Sequence, residues 1–213
     1  MNICVAIGDS ITQGSACLQD WPTRLRPLLG SSSWAIGDLS RPGQGSATIV
    51  SNASTFYNDY SWATKKVAII EAGTNDKATL TGQQIYDNVS PLLDAICTAV
   101  WDLLIVQRPT PFGSTSGWTS GQQTVMDDYW ALLEAYSSAT ATIYYTQDNH
   151  PWLSDGDEAR PRLQETPIDY RLSTLDGNND GLHPNDASCA ARAIVLRDII
   201  AAQIGLCLPG TEF

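Results

Sequence analysis

Short β-branched apolar runs recur along this chain of 213 residues, separated by longer stretches whose apolar positions follow helical spacing. The runs at 3–7, 34–39, 67–71, 102–106 and 141–145 read as strands. Three of them, 3–7, 67–71 and 102–106, are almost continuously apolar, as strands covered on both faces should be. Helices are expected at 20–29, 44–52, 81–100, 119–138 and 184–204. The last is the clearest. Cys189, Ala193, Leu196, Ile200 and Ile204 form one apolar stripe, and Gly205 follows the last turn. Asn185 or Asp186 can cap its start, and Pro184 is tolerated in a first turn. Strands alternating with helices imply parallel crossovers, hence a doubly wound α/β sheet between helices, in one domain covering 1–213.

Composition narrows the function classes. Apolar residues make up 43% and charged residues 16%, which suits a globular chain. No run approaches the roughly 20 apolar residues that span a bilayer, so membrane insertion is not expected. Twelve Lys+Arg against 23 Asp+Glu leave a net charge of −11, a surface that repels phosphate backbones; nucleic acid is not an expected partner. Met1-Asn2 leads straight into the first strand with no basic-then-apolar leader, which favours a cytoplasmic or virion-associated protein. The five cysteines, at 4, 17, 97, 189 and 207, show no CxxC pair and no zinc-ligand spacing. At most two bridges can form among them, and the pairing stays open. Neither a metal nor a cofactor is expected.

The chemistry lies at strand ends. The first apolar run delivers Gly8-Asp9-Ser10, and near the other end stands Asp180-Gly181-Leu182-His183. Ser10 is a candidate nucleophile, although a serine after Gly-Asp also serves as an ordinary helix cap. His183 is the candidate base, with Asp180 three residues earlier to hold its tautomer. The second histidine, His150, has no such partner and reads as lining a substrate mouth or as plain surface. Gly73-Thr74-Asn75-Asp76 follows the third strand, where the Asn75 amide can donate to a developing oxyanion. Gly43-Gln44-Gly45-Ser46 can offer a backbone N–H at a helix start. In open α/β sheets the site lies beyond the carboxyl ends of the strands, where these motifs converge. The irregular stretches 108–120 and 146–183 are expected to border it.

In block order and spacing these fragments resemble the SGNH (GDSL-type) hydrolase/esterase family. The matching blocks are Gly8-Asp9-Ser10-Ile11-Thr12-Gln13-Gly14, Gly73-Thr74-Asn75-Asp76 and Asp180-Gly181-Leu182-His183-Pro184. The resemblance implies a flavodoxin-like three-layer α/β/α sandwich with a five-stranded parallel sheet. It implies a serine esterase with Ser10, Asp180 and His183 as catalytic residues, and Ser10 N–H, Gly45 N–H and Asn75 as the oxyanion hole. The second block departs from the family pattern, with Ser40-Arg41-Pro42-Gly43 where an Asn usually precedes the first Gly. Gly45 is the better match to the donor glycine and Gly43 the alternative. Short acyl groups, often acetyl, on a carbohydrate or small alcohol are the expected substrate. Trp118, Trp130 and Trp152 offer aromatic faces near the expected rim, with ordinary packing as the alternative. The rival readings are lysophospholipase or thioesterase activity, acyl transfer, and a non-catalytic carbohydrate-binding module of the same fold.

Overall fold

A computed structural model describes residues 1–15, 17–54, 56–109, 119–146 and 186–206. The strands are β1 (Asn2–Gly8), β2 (Trp34–Asp38), β3 (Lys66–Glu71), β4 (Leu103–Val106) and β5 (Thr142–Tyr145). All five pair in parallel, in the order β2-β1-β3-β4-β5. Each expected run is therefore a strand, displaced by at most one residue at an end. The helices are α1 (Ser10–Gln13), α2 (Trp21–Leu29), α3 (Ser46–Ala53), α4 (Gly82–Thr98), α5 (Ser120–Ala135) and α6 (Asp186–Ile204).

The two-residue period of the strands sorts their side chains into two cores. Ile3, Val5, Ile7, Ala68, Ile70, Leu104 and Val106 face α3, α4 and α5. Cys4, Ala6, Val67, Ile69, Leu103 and Ile105 face α2 and α6. Burial on both faces explains why these strands are continuously apolar rather than alternating. Each fully buried Ile or Leu contributes roughly 2 kcal/mol, so both helical layers are needed to close the sheet. The strand order follows from the same layering. Connections running through α3, α4 and α5 step the sheet one way on one face, and α2 steps it the other way on the opposite face, as right-handed crossovers require.

Local signals set the helix starts. Asp20 caps α2 by accepting from Thr23 N at 2.6 Å. Thr81 with Gln84, and Thr119 with Gln122, form reciprocal capping boxes on α4 and α5. On α6, Cys189, Ala193, Leu196 and Ile200 are fully buried, as their spacing indicates. Asp186 begins the helix, but its carboxylate is engaged elsewhere: it pairs with Arg24 and accepts from Gln19 N at 3.3 Å. Cys189 forms a disulfide with Cys17, joining α6 to the loop between α1 and α2. Cys4 and Cys97 are buried thiols; Cys207 lies outside the described residues. No helix among the described residues is long and apolar enough to cross a membrane.

Candidate active site

The sheet changes direction between β1 and β3, because β1 is followed by β2 on one side while β3 lies on the other. Ligands of open α/β sheets bind in the crevice outside such a switch point. Gly8 at the end of β1 lies in register with Glu71 at the end of β3. Directly beyond them come Asp9-Ser10 and Gly73-Thr74-Asn75-Asp76.

Ser10 opens α1, a helix of one turn. Asp9 Oδ1 caps it by accepting from Ile11 N at 2.9 Å, and Gly14 ends it at φ +67°. The helix folds back tightly on its own strand. A β-carbon on Gly8 would lie 2.0 Å from Thr12 Oγ1 and 2.3 Å from Glu71 O. Only glycine lets the chain turn there, and the turn lifts Ser10 to the lip of the sheet with 8% of its surface exposed.

The loop after β2 reaches the same place by extending the ladder. Leu39 N donates to Ala6 O and Arg41 N to Gly8 O, both at 2.8 Å, which carries the chain past the end of β1. Gly45 then precedes α3. Two bonds tie this turn to the loop after β3: Asn75 Nδ2 donates to Gln44 O at 3.0 Å, and Ser46 N donates to Asp76 Oδ2 at 2.6 Å. Asn88 Nδ2 of α4 donates to Ser46 Oγ at 3.0 Å from behind. An amide NH2 has two hydrogens, so one holds the loop while the other can serve a ligand.

The same contacts separate the two candidate glycines. A β-carbon on Gly45 would lie 2.3 Å from Asp76 Oδ1, so Gly45 is the residue pressed against the Asn75 loop. Gly43 is exposed, has φ +70°, and has nothing within 4 Å of where a β-carbon would stand. Its left-handed backbone shapes the turn. Ser10, Gly45 and Asn75 are thus gathered on one edge of the sheet. Asp180, His183 and His150 lie outside the described residues, as do Trp118 and Trp152. Trp130 does not fit the expected rim: it is 3% exposed in the core, edge-on to Tyr145, with the Arg108 guanidinium 5.9 Å from its ring centre. Met126, Tyr129, Trp130 and Leu133 make up the buried face of α5, and their helical spacing outweighs the aromatic character of one member.

Beneath the site lies a charged group that reading the sequence missed. Arg192 of α6 pairs with Glu71, donates to Gln107 Oε1, and stacks 4.9 Å from the centre of the Trp21 ring. Both charged side chains are at most 2% exposed. The available signals were an Arg directly beside the apolar stripe of α6 and a Glu closing an apolar strand. Asp9 is also fully buried. Removal from water, then the nearby Glu71 charge, raise its pKa to about 7, while the Ile11 N–H, Arg192 and Lys77 oppose the rise.

The raised value has a definite sign. Below the ordinary value of 3.8 the carboxyl is neutral in folded and unfolded chains alike. From there to about 7 the unfolded chain releases the proton that the folded one keeps, so stability falls as pH rises through this window. Asp9→Asn keeps an N-cap and removes the titration. Its melting temperature should gain on the wild type between pH 5 and 8, by an amount worth roughly a few kcal/mol at the upper end. Thermal melts giving a gap independent of pH would show that Asp9 is ionised throughout.

Comparison with known proteins bears on the fold and the family. No curated protein sequence matches the chain significantly. Among solved structures, a carbohydrate acetylesterase family member from Sinorhizobium meliloti superposes with a TM-score of 0.62 at 13% identity, covering 97% of this chain and 100% of that one. A lipase/acylhydrolase from Enterococcus faecalis gives 0.64 at 13%, covering all of both chains. A carbohydrate esterase family 3 protein from Talaromyces cellulolyticus gives 0.63 at 15%, with 97% and 100% covered. At such identities these superpositions establish the shared fold. The model of the GDSL-like Lipase/Acylhydrolase family matches residues 6–191, a span running from β1 into α6, and the chain belongs to that family of carboxylic ester hydrolases.

Proposed function

We propose that this protein is a serine esterase that removes short acyl groups, acetyl above all, from a carbohydrate or small alcohol. One observation carries the reading: the loops bearing Ser10, Gly45 and Asn75 meet at the switch point, locked by the Asn75–Gln44 and Asp76–Ser46 hydrogen bonds. In this reading His183 takes the proton of Ser10 as Oγ attacks the ester carbonyl, and Asp180 stabilises the imidazolium. The oxyanion is held by Ser10 N–H, Gly45 N–H and Asn75 Nδ2. Collapse of the tetrahedral adduct breaks the bond to the alkoxide, which leaves with the proton from His183. Water then adds to the acyl-serine, with His183 as base, and releases the acid and free Ser10.

The acetyl preference draws on the superposing proteins described as a carbohydrate acetylesterase and a carbohydrate esterase. The test is a series of p-nitrophenyl esters of rising chain length run beside acetylated xylan, together with fluorophosphonate labelling. The expected result is highest kcat/KM on the acetyl ester, acetate release from xylan, and an adduct on Ser10. Preference for long chains without acetate release would overturn the substrate assignment. No adduct would overturn the nucleophile.

A further inference from the structure

We propose that a polar hollow between α1 and the first turn of α2 is a carbohydrate subsite, holding the alcohol part of the ester while Ser10 attacks its carbonyl. The assignment rests on the reading of this protein as a serine esterase acting on acylated sugars.

The hollow has a volume of about 520 Å³, within the range of small-ligand sites. Gln13, Ser15, Gln19, Asp20 and Thr23 supply its polar lining, and Leu18 is the one aliphatic side chain among the described residues around it. It opens beside the nucleophile. Residues three apart share a helix face, so Gln13 stands on the Ser10 side of α1, about 4.5 Å further along the axis. Ile11 and Thr12 are each 1% exposed, which leaves Ser10 and Gln13 as the outward face of that turn. Ser15 N also donates to Ser10 O at 3.1 Å, folding the rim of the hollow back towards the nucleophile.

The loop that forms it is fixed. Cys17 N donates to Gly14 O and Arg24 Nε to Gln19 O, both at 2.8 Å, and Gln19 N donates to Asp186 Oδ1 at 3.3 Å. Gly14 packs so closely here that an added β-carbon would lie 3.0 Å from Asp20 Cα and 3.3 Å from Cys189 Sγ of the disulfide. Backbone groups are therefore spent within the protein, while side-chain groups are not. Gln13 Oε1 accepts from Ser15 Oγ, and Asp20 Oδ1 from Thr23 N. Gln13 Nε2, Asp20 Oδ2 and the Gln19 amide have no protein partner among the described residues. Exposed glutamines are hydrated wherever they stand; these line one hollow on a preformed loop next to a nucleophile. A preformed loop has little ordering left to lose on binding.

The lining selects the alcohol rather than the acyl tail. Gly45 and Asn75 reach Ser10 from the side of α3 and α4, whereas the hollow lies on the face of α2 and α6. With the oxyanion turned towards Gly45 and Asn75, a substituent of the carbonyl carbon can extend over α1 into the hollow. An alkyl chain would meet one aliphatic side chain there, Leu18, itself 86% exposed. Sugar hydroxyls would meet amide donors and both amide and carboxylate acceptors. The Asp20 carboxylate and the net charge of −11 favour a neutral sugar over an acidic one.

The experiment uses Gln13→Ala/Gln19→Ala, with Gln19→Ala alone should the pair not fold, because the Gln19 side chain holds no other described residue in place. Kinetics on acetylated xylotriose and on p-nitrophenyl acetate give a ratio of kcat/KM values. That ratio should fall about tenfold, through KM on the sugar ester, for the loss of two hydrogen-bonding side chains. Titration of Ser10→Ala with xylotriose, mannotriose and chitotriose reads the subsite without turnover. At least one should bind, and adding the two glutamine substitutions should weaken it about tenfold. An unchanged ratio, no binding of any of the three, or binding that the substitutions leave alone would overturn the subsite. A wild type that releases no acetate from acetylated xylotriose, yet binds a trisaccharide in a manner sensitive to these substitutions, would instead overturn the substrate reading and keep the subsite.

Discussion

Ser10→Ala should lower ester hydrolysis by about 10⁵-fold and leave the fold in place. The two halves of this expectation have separate origins. Catalysis through an acyl-serine cannot proceed without the hydroxyl, and what survives is the background that an oxyanion hole gives to attack by water. The fold should persist because Asp9, not Ser10, caps α1, and Gly14 terminates it. Removing one oxygen from a residue at the lip of the sheet also leaves both cores untouched. Purified variant with a wild-type melting temperature and no turnover is the expected outcome. Near-wild-type hydrolysis by the same preparation would refute the nucleophile assignment.

The second large effect separates two glycines only two positions apart. Gly45→Ala should reduce kcat by about 100-fold, on the scale of losing one oxyanion donor. The new methyl would stand 2.3 Å from Asp76 Oδ1, so the turn must move away from the Asn75 loop or Asp76 must release Ser46 N. Either movement displaces the Gly45 N–H from the crevice. Gly43→Ala meets no atom within 4 Å, and its cost is the left-handed backbone at φ +70°, about 1 kcal/mol of stability. Its kcat should stay within about threefold of wild type. Steady-state kinetics on the two variants decide the matter: the reverse ranking would make Gly43 the donor.

Much of this was readable from the chain, for reasons that particular residues make plain. The apolar run from Ile3 to Ile7 announces a strand buried on both faces, and it is one. The stripe from Cys189 to Ile200 announces the buried side of a helix, which α6 presents. Strand ends then place Ser10 and Asn75 on the same edge, because parallel strands all end on the same side. Local patterns report which positions are buried but not what they touch. Arg192 and Glu71 are 121 positions apart, and nothing near either residue indicates the other. The partner of Cys189 is likewise distant, 172 positions away. Asp76 looked like one more turn residue after Asn75; its grip on Ser46 N depends on two loops meeting, which no single stretch encodes. Trp130 shows another limit: a rim role and ordinary packing were both open to it, and the helical spacing it shares with Met126, Tyr129 and Leu133 is what places it in the interior.

The bond between Cys17 and Cys189, 172 positions apart, closes the stretch of polypeptide between them into a ring. A single cut of the backbone anywhere inside that ring leaves one covalent molecule, since the sulfur link still spans the break. Ser10 lies in the tail before the ring, and the greater part of α6 lies in the tail after it. A nicked enzyme would thus keep its two ends tethered, and would part into fragments only under reducing conditions.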